Sequence, residues 1–306
     1  MSENKPKISI GLPVFNEEEL LENRIKSILD QNYKNFEIII SDNASTDQTA
    51  EICKKYEKID PRIKFFRQGK NMGPYWNFNF VLENAQGMYF IWFAVDDNHE
   101  KTFLEKNLEI LEKNKNVVAS ISDVKYFGSN LNEINEHGIF QKFKNKFKYR
   151  FDKRTKFIQT FPADGTFRKK ATLYLRMDRS TSLYALYRKN ILQKCMITTP
   201  FAGSDLAIIL NVLKHGNIHV IDEVLMWKNL EGFSSKGIIS YLRNQNTGKS
   251  GMVFINLPFT IWCAKNLGVK IFLKNIDWFI VINIYGLYLI SSDVNKIIKR
   301  KFRKNE

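Results

Sequence analysis

Apolar and polar positions alternate in blocks over the first 125 residues, and each block has one period. Residues 7–14 form a short, β-branched apolar run containing Pro13, which reads as a strand. Residues 17–31 switch to a helical period, with Leu20, Leu21, Ile25, Ile28 and Leu29 on one face. Asn16 is placed to cap that helix, with acidic residues in its first turn. Residues 36–41 (FEIIIS) read as a buried strand, and Ser45 as the cap of a helix running to about Lys58. A strand at 63–66, a helix at 73–85, an apolar strand at 88–95, a helix at 100–113 and a strand at 117–121 follow. Strands separated by helices of this length imply βαβ units and a mostly parallel sheet covered on both faces. Ligands of such sheets sit at the carboxyl ends of the strands.

Regularity then weakens. Residues 141–179 hold 13 Lys or Arg against 3 Asp, and in 142–151 cations alternate with Phe143, Phe147, Tyr149 and Phe151. One face would be aromatic and the other cationic, as suits an acceptor or membrane side, a solvated edge strand or, least, a nucleic acid. A strand at 182–187, a helix at 204–214 and short strands at 217–221 and 224–227 come next, with Asp222 and Glu223 in the turn between the last two. From residue 238 the chain is helical, apolar and aromatic, and it ends in Lys296, Lys299, Arg300, Lys301, Arg303 and Lys304.

Composition bounds the reading. With 306 residues and 44% hydrophobic content, the chain can bury a sizeable core. The net charge of +15 favours phosphate-bearing partners or simply reflects a Lys-rich composition. Cys53, Cys195 and Cys263 are widely spaced with no CxxC, so neither a disulfide framework nor a structural zinc site is expected, and the thiols point to a reducing compartment. Residues 1–7 lack the apolar core of a leader, and the apolar stretch 276–290 is shorter than the ~20 residues a spanning helix needs.

Candidate chemistry gathers after the strands. The first is followed by Pro13, Val14, Phe15, Asn16 and Glu17, the second by Asp42 to Asp47, and the fourth by Asp96, Asp97, Asn98 and His99. Carboxylates at the ends of apolar strands are costly to desolvate without a cation. Hard oxygen ligands suit magnesium or manganese carrying a phosphate substrate. Asp47 reads as an ordinary turn or cap, whereas the Asp96–Asp97 pair reads as functional.

The segments ISIGLPVFNEE, EIIISDNASTDQT, NMGPYWNFN and FAVDDNHE, in this order and spacing, resemble the family 2 glycosyltransferases of the GT-A fold over about residues 7–230. That resemblance implies an α/β, Rossmann-like fold: a catalytic domain over 1–235, with its nucleotide half at 7–125 and acceptor half at 126–235, then a helical segment at 236–306. It implies that Pro13, Phe15 and Glu17 line the nucleotide pocket, Asp42 meets the base, Asn71 and Gly73 shape the loop near the donor sugar, Asp96 meets ribose or metal, and Asp97 is the main ligand of Mn2+ or Mg2+. The family's base precedes a helix on the acceptor side. Asp205, in Gly203-Ser204-Asp205, matches that position; it reads otherwise as an N-cap, and Asp222 and Glu223 are weaker rivals. The Arg and His that many relatives carry after the last strand are absent, and Lys228 is the cation left for the diphosphate.

The implied activity is metal-dependent, inverting transfer of a sugar from a nucleotide-diphosphate donor, a UDP-sugar first, to a glycan or lipid-linked acceptor. The alternatives are a nucleotidyltransferase, a degenerate transferase that only binds nucleotide, or a basic nucleic-acid-binding module; the acidic strand ends argue against nucleic acid as partner. A cytoplasmic location, peripheral to the membrane, is expected. The C-terminal aromatics beside Lys and Arg suit an anionic lipid surface or a contact with the catalytic domain or a second subunit. No GxGxxG follows the first strand, and Gly248-Lys249-Ser250 fails as a P-loop because Arg243 stands where glycine is required. Asn43-Ala44-Ser45 is a glycosylation sequon in form only. The four His residues have no metal spacing, and His99 is singled out for following the acidic pair.

Overall fold

The computed structural model describes residues 5–128, 160–177, 180–229 and 254–302, with side chains up to 292. Most of the basic-aromatic stretch 141–179, the Gly248-Lys249-Ser250 sequence and the last basic residues lie outside that description.

An eight-stranded sheet with order β3-β2-β1-β4-β7-β6-β8-β5 organises the fold. Its parallel half is β1 (Ile8–Val14), β2 (Phe36–Asp42), β3 (Ile63–Arg67) and β4 (Tyr89–Trp92). Ile8, Ile10 and Leu12 of β1 and Ile38, Ile39 and Ile40 of β2 are all fully buried. Burial of successive residues on both faces is what a parallel sheet sandwiched by helices requires. Helices α1 (Leu21–Leu29), α2 (Thr49–Ile59) and α3 (Pro74–Glu83) supply cover. Helix α3 approaches β1 closely at Gly11, where a Cβ would lie 2.6 Å from a Val81 methyl.

The second half is β5 (Asn98–His99), α4 (Phe103–Lys113), β6 (Val117–Phe127), α5 (Phe167–Met177), a 3-10 turn at Thr181–Tyr184, β7 (Leu186–Arg188), α6 (Lys189–Cys195), α7 (Ser204–Val212) and β8 (Asn217–Asn229). Strand β7 pairs antiparallel with both β4 and β6, and β5 pairs antiparallel with β8. Helices α8 (Leu257–Asn266), α9 (Val269–Lys274) and α10 (Ile276–Phe302) close the chain. Phe259, Cys263, Ile271 and Phe279 from them join the same hydrophobic cluster as the sheet. Arg176 of α5 ties them down, bonding Asn275 at 2.9 Å and Asp277 at 2.7 Å. No described helix is long and apolar enough to cross a membrane. All three cysteines are buried and free.

Four local expectations are corrected. Asn16 does not cap α1, which starts after Leu20; it adopts φ 56°, accepts the Thr46 N–H and donates its own N–H to Ser45. Ser45 is thereby spent on the neighbouring loop and does not cap α2, which begins at Thr49. The expected strand at 182–187 splits into a 3-10 turn and three residues of β7. The two strands expected around Asp222 and Glu223 are one strand, β8, whose pairing with β6 skips those two residues as a bulge. In each case a contact with a distant segment overrides the local pattern.

Candidate active site

Parallel pairing puts the exits of the first strands on one edge, since Val14 stands opposite Asp42 and Asp42 opposite Arg67. Asp42 is fully buried; one carboxylate oxygen accepts the Ser45 N–H at 2.9 Å, and the other has no hydrogen-bond donor, with Arg67 Nε 3.6 Å away. Phe15 is exposed, Pro13 and Glu17 are half-buried, and the Glu17 N–H donates to Thr49. Asp47 accepts the N–H groups of Thr49 and Glu18, the turn role read from sequence.

Asn43, passed over in the sequence except as part of a sequon, holds the next loop. Its buried amide donates to Asn71 Oδ1 at 3.0 Å and to the Gly73 carbonyl, and accepts the Met72 N–H at 2.8 Å. Asn71 accepts the Gly73 N–H in turn, so the loop expected near the donor sugar is braced from β2. Asn77, one turn into α3, donates to the carbonyl of Ser41 at the end of β2.

The acidic pair sits four residues beyond β4. Asp97 is 2% exposed; one oxygen accepts the Asn229 N–H at 3.0 Å, and the other has no hydrogen-bond partner, with Lys228 Nζ 3.7 Å away. Asp96 is half-buried, and its carboxyl is raised by burial and then by Asp97, against the pull of Lys228 and Arg24. Lys228 Nζ lies 3.7 Å from the Tyr184 ring centroid. Burial opposes its charge, yet Tyr184, Asp97, Tyr126 and Asp96 together push it above the ordinary lysine range.

Beneath the pair lies Arg24 of α1, 3% exposed, with its guanidinium 4.5 Å from the Phe93 ring and bonded to His99 Nδ1 at 3.0 Å. Burial lowers Arg24 to about 10, with Asp97 and Asp96 opposing, so it remains cationic near neutrality. The His99 ring stacks on Phe93 at 4.1 Å and is pushed well down by burial, then by Arg24 and Lys228. Arg24 had one signal in the sequence: it shares the inward stripe of α1 with Leu21, Ile25 and Ile28. Tyr184 had none.

Asp205 occupies the first turn of α7, which has no side-chain cap bond. Ser204, not Asp205, ties the turn, bonding both the N–H and the carbonyl of Phe201 at 2.8 Å. Asp205 is exposed as a residue, and its carboxyl is partly desolvated by the surrounding protein. Burial raises it above the ordinary carboxylate range, with Lys228 opposing, and its charge is felt by Tyr75 and Tyr184. The fold therefore brings Asp205, Tyr184, Lys228, Asp97 and Asp96 into one electrostatic group. Asp222 and Glu223 do not join it: Glu223 pairs with Lys106. A groove of about 600 Å³ runs between the start of α3 and residues 196–200, lined among others by Gly73, Tyr75, Trp76, Met196 and Pro200. Within this lining, the Tyr75 hydroxyl bonds both the carbonyl and the N–H of Ile197.

The described residues contain no cluster of three or more metal-ligating side chains. The residues present still fit a magnesium-type ion. Two carboxylates supply hard oxygens, and one buried oxygen of Asp97 lacks a hydrogen-bond partner; such ions normally complete their shell with substrate phosphate and water.

The family model described as Glycosyl transferase family 2 matches residues 9–195. The chain is 40% identical over 111 residues to "Putative teichuronic acid biosynthesis glycosyltransferase TuaG" of Bacillus subtilis, covering 36% of this chain and 44% of that protein. It is 28% identical over 219 residues to "GalNAc(5)-diNAcBac-PP-undecaprenol beta-1,3-glucosyltransferase" of Campylobacter jejuni, covering 70% and 62%. The chain thus spans less than two-thirds of the length of these relatives. Among solved structures, S. aureus TarS in complex with UDP-GlcNAc superposes with a TM-score of 0.57 at 16% identity, covering 86% of this chain and 77% of that one. A mannosyltransferase from Pyrobaculum calidifontis in complex with GDP-Man and Mn2+ gives 0.58 at 13% identity, covering 97% and 76%. These superpositions establish a shared GT-A fold.

Proposed function

The chain belongs to glycosyltransferase family 2, and from that premise we propose that it transfers a sugar from a UDP-sugar to an acceptor hydroxyl with inversion at the anomeric carbon. The observation that carries this reading is the sealed Asp97, with one oxygen lacking a hydrogen-bond partner, beside Asp96 and Lys228, whose charge also acts on Asp205. Pro13, Phe15 and Glu17 flank the nucleotide, Asp42 receives the base, and the braced Asn71–Gly73 loop borders the donor sugar. Asp97, helped by Asp96, holds Mn2+ or Mg2+, which when bound supplies positive charge against the departing diphosphate. Lys228 adds a second cation on that side. Asp205 accepts the proton of the attacking hydroxyl, and its raised carboxyl makes it a better base than an ordinary aspartate. The acceptor enters along the groove beside Trp76 and Met196, whose near end borders the loop before Asp205.

One relative is named for teichuronic acid biosynthesis and another for glucosyl transfer to a glycan carried on undecaprenyl diphosphate. Those names support a growing glycan or a lipid-linked glycan as the acceptor class.

The test is calorimetric titration of UDP-sugars with manganese or with chelator. Wild type should need the metal, and Asp97→Ala should weaken binding on the order of 10²-fold, the scale of losing a charged ligand. Equal, metal-independent binding by both proteins would refute the role of the acidic pair.

A further inference from the structure

Of the fifteen exposed large hydrophobic side chains among the described residues, ten fall within residues 254–288. They follow helical spacing. Leu257 and Ile261 mark the outer side of α8, and Ile276, Ile280, Ile284 and Leu287 mark one side of α10. The opposite sides are spent: Phe259 and Cys263 of α8 and Phe279 and Ile282 of α10 are buried in the core. Asn256 bonds the Ile282 carbonyl and Asn283 bonds Thr260, so the two helices lie side by side. Among the described residues nothing covers the outward stripes, and an exposed apolar patch of this kind marks a contact surface.

Charge selects the occupant. Residues 254–276 contain no Asp or Glu, while Lys265, Lys270 and Lys274 are exposed there. Asp277, the next carboxylate, is occupied by Arg176. A symmetric contact between two copies through this face would set its lysines against themselves. An anionic bilayer meets both properties, taking isoleucine and leucine at its acyl boundary and lysine at its headgroups.

We propose that the outward faces of α8, α9 and α10 dock this enzyme on an anionic phospholipid surface. The docked face is coupled to the acceptor side of the active site. The Phe259 ring packs against Gly203, where a Cβ would meet it at 3.2 Å, and Gly203 starts the turn that presents Asp205. An enzyme seated this way holds the Asp205 end of its cleft near the membrane, within reach of an acceptor borne by a lipid.

The experiment is co-sedimentation of the full chain with phosphatidylcholine vesicles, with and without about 20% phosphatidylglycerol. Binding should require the anionic lipid and fall steeply in about 0.5 M salt. Ile280→Ser with Ile284→Ser should lower partitioning by at least roughly tenfold. Lys270→Glu with Lys274→Glu should lower it by more than the roughly fivefold that each lysine near the surface provides. All four positions are exposed, so both variants should keep the wild-type melting temperature and donor hydrolysis in detergent, a readout of the transferase reading that is independent of docking. Equal binding to neutral vesicles, or no binding to either kind, would overturn the proposal. So would a wild-type dimer that Ile280→Ser with Ile284→Ser converts to monomer, because a second copy would then cover the face.

Discussion

Replacing Asp205 by Asn tests the proposed base directly, because the carboxylate makes no cap bond that its loss would break. Asn keeps the volume and removes the proton-accepting charge. General-base catalysis contributes roughly 10²–10⁴-fold, or about 3–5 kcal/mol of barrier, and kcat should fall by that factor. The folding cost should be small. Asp205 makes no cap bond to α7, and Ser204 holds the turn. What remains is a first-turn carboxylate favoured by the helix N-terminus by about 0.3–1 kcal/mol, offset in part by the desolvation that raises its carboxyl. The melting temperature should move by less than about 4 °C. Donor binding should be unchanged if Asp205 serves the acceptor side as proposed. The base must be ionised, so the wild-type rate should fall as pH drops through the raised Asp205 value, and the residual rate of the variant should not follow that limb. Steady-state kinetics of nucleoside diphosphate release, a thermal melt and donor titration give the three readouts. A variant with wild-type kcat would refute the assignment, as would one whose lost rate is matched by lost folding or lost donor affinity.

Two further outcomes follow from the fold itself. Glu22 is held at about 2, against an ordinary 4.5, by Lys26 first and then by the Tyr56 hydroxyl and Lys55; a depressed carboxylate stabilises above its unfolded value, so the advantage of wild type over Glu22→Gln in urea unfolding should be present at about pH 6 and shrink toward pH 2.5, and a gap that stays constant would exclude the network as its source. Gly203→Ala forces an alanine to φ 95° with its Cβ 3.2 Å from Phe259; it should cost about 1–3 kcal/mol in chemical denaturation and lower transfer by tilting the turn before Asp205, whereas a neutral result would show that the turn relaxes freely.

Much of this protein is legible in one dimension. The β-branched runs, the helical stripes between them and the acids at the strand exits are local signals, because side-chain period and strand-end chemistry depend on neighbours in the chain. Those signals sufficed to place Asp42, Asp96 and Asp97 at one sheet edge. Only the tertiary structure decided what surrounds them. Strand β5 pairs with the end of β8, with Asn98 opposite Trp227, and this brings Lys228 and Asn229 onto Asp97 across more than a hundred residues. The burial of Arg24 beneath the pair, and the diversion of Asn16 and Ser45 from capping to joining two loops, are contacts of the same long range. Periodicity reports which face of an element is covered, whereas the identity of the covering group is set when distant segments meet and each buried polar atom must find a partner.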